Sequence, residues 1–213
     1  MADVLIDVEK LDWRKGDGLL PAVIQHWHSG AVLMLGYMSR EAFVKTQQSG
    51  KVTFFSRSKQ RLWTKGETSG NFLLFKAAFA DCDNDALLVH AEPQGPTCHL
   101  GTASCFGDAS ASPLAFLAEL DALVGDRERE RPAGSYTTRL FESGLRRIAQ
   151  KVGEEGVEVA LSAVAEDKQA LVGESADLLF HLLVLLRARK ASLTDVAAEL
   201  ASRHTVPEQG RAE

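Results

Sequence analysis

The hydrophobic pattern of this chain changes period partway along, and that change limits what it can fold into. Up to about residue 107, short runs of β-branched, aromatic and leucine residues are punctuated by glycine, the pattern of strands and tight turns. Beyond about residue 113, apolar residues recur at helical spacing. All three cysteines (Cys82, Cys98, Cys105) and all three tryptophans (Trp13, Trp27, Trp63) lie in the first part. A single continuous sheet or bundle cannot carry both patterns. Two domains are expected, over residues 1–110 and 111–213: the first α+β with short mixed or antiparallel strands, the second an all-α helical bundle.

In the first domain the predicted strands are Leu20–Trp27, Val32–Met38, Val52–Ser58, Phe72–Ala80 and Ala86–Ala91. One helix fits between them, with Ser39 as N-cap, Glu41 in its first turn and Gly50 as its stop. In the second, Ser112-Pro113 opens a helix running to about Leu123 or beyond. Residues 125–134, with Pro132 and a run of alternating charges, read as a linker. Helices follow from Thr137/Thr138 to Ala165, from Lys168 to Lys190 and from Ser192 to Arg203, the last with a Ser192/Asp195 capping box. A frayed tail is expected from Pro207.

The net charge is −5, from 24 basic and 29 acidic residues, which argues against a nucleic-acid binder but leaves small anionic substrates open. The longest nearly apolar run, Leu178–Leu186, is broken by His181 and falls short of the roughly 20 residues that span a bilayer. Asp3, Asp7 and Glu9 break up the first ten residues, so no leader is expected and the cytoplasm is the expected location. An odd number of cysteines argues against a disulfide framework.

Three constellations carry chemistry. The first is Asp81-Cys82-Asp83-Asn84-Asp85. On an extended chain its three aspartates share one face, where their repulsion calls for a cation such as Mg²⁺, and Cys82 points the other way. The EF-hand reading of Asp81, Asp83, Asp85 and Glu92 fails, because Ala86 stands where that loop needs glycine and the flanks read as strands. With Cys98 and Cys105, Cys82 makes three thiols; on Zn²⁺ they would leave a fourth position for water. The bland alternative makes Cys82 a small buried apolar residue and the other two loop residues. His99 could serve as a general base, orient a ligand or be a polar loop residue.

The second constellation runs from Ser56 to Asn71. Arg57, Lys59 and Arg61 alternate, and if extended they share a face with Trp63 next in line: cations and an indole for a phosphate and a flat base. Lys65, Ser69 and Asn71 continue this set of candidate substrate contacts. A solvated edge strand competes with that reading. The third lies on the helices. Glu155 falls on the apolar stripe of Leu145, Ile148, Val152 and Val159, Glu158 is three residues on, and Glu174, Asp177 and His181 share a face of the next helix. Four carboxylates brought together this way need divalent cations, unless they are simply solvated surface acids.

Leu35-Gly36-Tyr37-Met38, the Ser56–Asn71 stretch, Asp81–Leu87 and Pro93–Phe106 together resemble phosphoribosyl-AMP cyclohydrolase of histidine biosynthesis, over about residues 10–107. The resemblance implies a homodimer, zinc held by Cys82, Cys98 and Cys105 across the subunit interface, and Mg²⁺ held by Asp81, Asp83 and Asp85. Asn84 departs from the family's usual glycine but tolerates left-handed backbone angles. The implied reaction is attack of water on C6 of the adenine ring, with His99 moving protons.

Over roughly residues 113–203, Ser135-Tyr136-Thr137, Lys151-Val152-Gly153-Glu154-Glu155 and His181–Leu186 resemble phosphoribosyl-ATP pyrophosphatase, of the all-α nucleotide pyrophosphohydrolases. This implies Mg²⁺ on Glu155, Glu158, Glu174 and Asp177, with Glu154 as a further ligand or base. Lys151 is a candidate phosphate contact that reads more readily as an exposed lysine, and His181 reads as a satisfied core histidine. The two implied reactions are consecutive, so the expectation is a bifunctional enzyme of small phosphoribosyl nucleotides. Its rival is a general nucleotide pyrophosphohydrolase carrying a zinc-bridged, non-catalytic N-terminal domain.

Overall fold

The computed structural model describes residues 6–107 and 112–204; the first residues, part of the expected domain join and the tail from Pro207 lie outside the described residues. Two compact units divide between Phe116 and Leu117.

The first unit is built on a four-stranded sheet of β1 (Leu19–His26), β2 (Val32–Ser39), β5 (Leu73–Ala80) and β6 (Leu87–Pro93), in the order β2-β1-β6-β5. β1 pairs antiparallel with β2 and parallel with β6, and β6 pairs antiparallel with β5. β3 (Thr53–Ser56) and β4 (Arg61–Thr64) form a separate antiparallel hairpin. Helix α1 (Arg40–Ser49) begins and ends as its caps dictate: the Ser39 hydroxyl accepts from the Ala42 amide, and Gly50 turns left-handed at φ 67°. Leu20, Ile24, Met38, Phe43, Phe54, Leu73 and Val89 are almost wholly buried in one core. Phe43→Ala there is expected to remove about 3–5 kcal/mol of stability.

Two local expectations of this unit change. The strand predicted over Val52–Ser58 ends at Ser56, and the chain reverses through residues 57–60, with Gln60 at φ 48°, into β4. Arg57 and Lys59 therefore stand in a turn while Arg61 is in a strand, and the three share no extended face. Residues 81–86 also form a turn, with Asn84 left-handed at φ 61°, rather than an extended segment.

The second unit contains α2 (Ala115–Glu130), α3 (Tyr136–Glu142), α4 (Leu145–Ala165), α5 (Lys168–Ala188) and α6 (Leu193–His204). The expected linker from Gly125 is helical as far as Glu130. Val124 and Gly125 are buried, Asp121 receives two hydrogen bonds from the Arg187 guanidinium (3.0 and 2.5 Å), and Glu128 pairs with Lys190. Those tertiary contacts carry the helix through a segment whose composition reads as loop. The single helix expected from Thr137/Thr138 to Ala165 is two, because Gly144 takes φ 83° between α3 and α4. Helix α6 starts on the expected capping box: the Ser192 amide donates to Asp195 Oδ2 at 2.8 Å, and the Asp195 amide donates to Ser192 Oγ at 3.2 Å.

Contrary to the expectation from run length, α5 is long and apolar enough by composition to cross a membrane, the one such helix among the described residues. Here it packs along α4 and carries Glu174, Asp177 and His181.

Candidate active sites

The glycine-rich loops of the first unit enclose a cavity of about 490 Å³. Its lining includes Trp63, Lys65, Ser69 and Asn71 from one side and Cys98, His99 and Cys105 from the other. Asn71 sits there because two neighbours lack side chains: a Cβ on Gly66 would stand 2.5 Å from the Asn71 carbonyl oxygen, and one on Gly95 would stand 2.6 Å from its Oδ1. Trp63 stacks on Phe54, with ring centroids 5.6 Å apart, so the core holds its indole. Lys65 is buried beside Cys105. Arg57, Lys59 and Arg61 are outside this lining. Arg57 lies 3.8 Å over the Tyr37 ring, and Arg61 is held by Glu67 at 2.6 Å, which lowers the Glu67 carboxyl and raises the guanidinium.

The two cavity cysteines differ electronically. The Leu100 amide and the Thr102 hydroxyl hold the Cys98 thiol below its usual range. Partial desolvation of its sulfur and the neighbouring Cys98 push the Cys105 thiol up, although the residue as a whole is exposed. His99 Nδ1 lies 3.8 Å from Cys98 Sγ. Cys82 is exposed on the aspartate turn, and no group of three metal-binding side chains among the described residues unites it with Cys98 and Cys105. Thr97, buried in the lining with its hydroxyl unpartnered by protein, escaped the sequence analysis, and nothing in its spacing marks it.

The turn at 81–85 does gather its carboxylates: oxygens of Asp81, Asp83 and Asp85 lie within 4.8 Å of one another. Asp81 Oδ1 accepts from the amides of Asp85 (3.0 Å) and Ala86 (3.1 Å), which closes the turn. The Lys15 ammonium donates to Asp83 and, at 2.8 Å, to Asp85; that contact lowers the Asp83 carboxyl and raises the lysine. Lys15 is a neighbour that the motif alone does not reveal.

In the second unit, oxygens of Glu155, Glu158 and Glu174 also converge within 4.8 Å. Asp177, one turn beyond Glu174, is exposed and outside that group. Glu155 is only 4% exposed. Lys151 Nζ, 2.5 Å away, holds its carboxyl low, whereas Glu158, bonded to Glu155 and repelled by it, is raised. Lys151 is thus half-buried and paired, not the exposed lysine its position suggests. Glu154 points to Gln150 (2.7 Å), Arg147 (3.1 Å) and Lys151 (3.2 Å), outside the cluster. His181 is buried, with Nδ1 2.9 Å from the Asp177 carbonyl and Nε2 3.1 Å from the Tyr136 hydroxyl.

A thiol-lined cavity ahead of a helical carboxylate cluster defines a two-part hydrolase, and family comparison gives the class of each part. Residues 34–107 match the model for phosphoribosyl-AMP cyclohydrolase, and residues 117–204 match that for phosphoribosyl-ATP pyrophosphohydrolase. The chain is 66% identical over 194 residues to the histidine biosynthesis bifunctional protein HisIE of Xanthomonas axonopodis pv. citri, covering 91% of this chain and 93% of that one. It is 63% identical over 194 residues to HisIE of Xylella fastidiosa strain Temecula1, covering 91% and 93%. Against HisIE of Escherichia coli strain K12 it is 58% identical over 195 residues, covering 92% and 96%. The chain belongs to this family of bifunctional histidine-biosynthesis hydrolases, with the cyclohydrolase ahead of the pyrophosphohydrolase.

Proposed function

We propose that residues 111–213 release pyrophosphate from phosphoribosyl-ATP, and that residues 1–110 then open the adenine ring of the phosphoribosyl-AMP so formed. The observation that carries this residue-level reading is the cavity itself, where a buried cation, an indole, an amide, an imidazole and two thiols face one space large enough for a nucleotide.

In that cavity Lys65 neutralises the phosphate, Trp63 offers its ring face to the purine, and Ser69 and Asn71 bond the substrate's polar edges. Arg57, Lys59 and Arg61, on the neighbouring hairpin, add positive charge toward the approaching anion. His99 takes a proton from the water that attacks C6 and passes it to N1 as the N1–C6 bond breaks. The donor sets fit different metals: the soft thiols of Cys82, Cys98 and Cys105 suit Zn²⁺, and the aspartate turn suits Mg²⁺. When bound, zinc supplies a Lewis acid and magnesium neutralises phosphate charge.

In the helical part, Glu155, Glu158 and Glu174, with Asp177 beside them, suit Mg²⁺ or Mn²⁺. Lys151, shared between Glu154 and Glu155, meets the triphosphate, and Glu154 accepts the proton of the water that attacks between the α and β phosphates.

One chain brings two thiols to the cavity and holds the third on the aspartate turn. We read that separation as a homodimer in which Cys82 completes the partner's site. Leu100 (78% exposed) and Phe106, both exposed near the thiols, favour such an interface. Three free thiols recruited as ligands fit a reducing cytoplasm.

The test is a time course of phosphoribosyl-ATP with the zinc- and magnesium-loaded protein, followed by mass spectrometry. Pyrophosphate and phosphoribosyl-AMP appear first, then a species heavier by one water. Accumulation of phosphoribosyl-AMP alone would mean that the cysteine cavity is not catalytic as assigned. Faster hydrolysis of common nucleoside triphosphates would favour the general pyrophosphohydrolase.

A further inference from the structure

A carboxylate as buried as Glu155 needs polar partners to stay ionised. Lys151 covers one side. His181, itself 4% exposed, approaches the same oxygen, with Nδ1 3.6 Å from Glu155 Oε1. The Asp177 carbonyl can only accept, so the 2.9 Å contact places a proton on His181 Nδ1. Its Nε2 lies 3.1 Å from the Tyr136 hydroxyl, so both ring nitrogens are tied and the orientation of the imidazole is set. Tyr136 comes from α3 and stacks on Phe180 of α5 at a centroid distance of 6.0 Å and an interplanar angle of 26°, which fixes where its hydroxyl points. Three helices thus converge behind one carboxylate. At 3.6 Å the ring does not hydrogen-bond Glu155, and its Nδ1 proton goes to the Asp177 carbonyl, but the electropositive Nδ1 edge lies against the carboxylate in surroundings dry enough for that polarity to matter.

We propose that Tyr136 and His181 are positioning residues for Glu155: the tyrosine hydroxyl and the Asp177 carbonyl fix the imidazole between them, and the Nδ1 edge so fixed holds Glu155 aimed at Glu158 and Glu174. The proposal rests on Glu155 being a metal ligand. It differs from a packing role, in which His181 merely fills space on a leucine-rich face beside Leu183 and Val184.

Two substitutions separate the alternatives. Asparagine keeps a donor close to Nδ1 but loses volume; leucine keeps volume but loses the donor. Binding of Mn²⁺ is titrated by electron paramagnetic resonance in the full-length, zinc-loaded chain carrying Asp83→Asn and Asp85→Asn, which leave one carboxylate on the aspartate turn. The half-saturating Mg²⁺ for pyrophosphate release and the melting midpoint are recorded alongside. His181→Leu is expected to weaken Mn²⁺ binding about ten- to a hundredfold, the usual effect of losing a group that orients a ligand. His181→Asn retains most of the affinity, and Tyr136→Phe falls between them with an unchanged melting midpoint. Wild-type affinity in His181→Leu, or equal loss in His181→Asn and His181→Leu, overturns the proposal in favour of packing. Glu155→Gln is the control: if it binds Mn²⁺ like the wild type, the ligand assignment fails and the proposal with it. If it loses binding while His181→Leu does not, the positioning role alone falls.

Discussion

Cys98 and Cys105 show how much of this chemistry is set by immediate neighbours. Both are thiols on one short loop, yet hydrogen bonds to Cys98 favour its thiolate while partial desolvation beside Cys98 disfavours that of Cys105. A lowered pKa means that the thiolate persists to lower pH, so in metal-free protein Cys98 is expected to react with iodoacetamide at lower pH than Cys105. Peptide mapping of alkylation against pH checks the order, and Cys105 reacting first would contradict it. Thr102→Val removes one of the bonds to Cys98 and should move its profile upward. Zinc competes with protons for the same sulfurs, so zinc affinity should fall with acidification, Cys105 being the first thiolate lost. Residue identity was legible in the sequence at this scale, and so was the pairing of soft thiols with hard carboxylates. The inequality between the thiols was not, because it depends on which amide and hydroxyl the folded loop brings near each sulfur.

Among the elements, those with strong local signals formed where their residues indicate. Helix α1 between Ser39 and Gly50 and α6 behind Ser192/Asp195 are examples, since caps act within one turn. The differences arise where distant partners decide. The Arg57–Arg61 stretch turns back on itself because β4 pairs with β3 through a register from Thr53↔Thr64 to Ser56↔Arg61. The charge-dense residues after Gly125 stay helical because α5 supplies Arg187 to Asp121 and residues beyond it supply Lys190 to Glu128. Asp121 is 5% exposed and its carboxylate also accepts from the Leu193 amide at 3.4 Å, so it joins α2, α5 and the start of α6. Asp121→Ala leaves the Arg187 guanidinium unpaired and is expected to destabilise the helical unit by about 3–5 kcal/mol. Urea unfolding of the metal-loaded protein, followed by circular dichroism, measures this. A change below roughly 1 kcal/mol would mean that the pair behaves as a surface salt bridge.

For the whole molecule, the separation of Cys82 from Cys98 and Cys105 yields a complementation test. Cys82→Ser and Cys98→Ser should each stop ring opening while pyrophosphate release continues. If each site takes Cys82 from one chain and the other two thiols from its partner, a mixed dimer retains one intact site. Equal, re-equilibrated mixtures should then recover about a quarter of wild-type ring opening, because half the dimers are mixed and each has one of two sites. No recovery would place all three thiols in one chain. Two units and their fold classes were readable in the linear chain, since helical and strand periodicities are local properties, while the two consecutive reactions followed from the resemblance of its motifs to two known families. Tertiary structure alone decided that the aspartates meet on a turn around Lys15, that Lys65 rather than Arg57 enters the cavity, and that His181 of α5 closes on the buried Glu155 of α4. In each case the deciding partner lies on a separate turn, loop or face of the folded chain, and its approach depends on packing and chain reversal that periodicity does not encode.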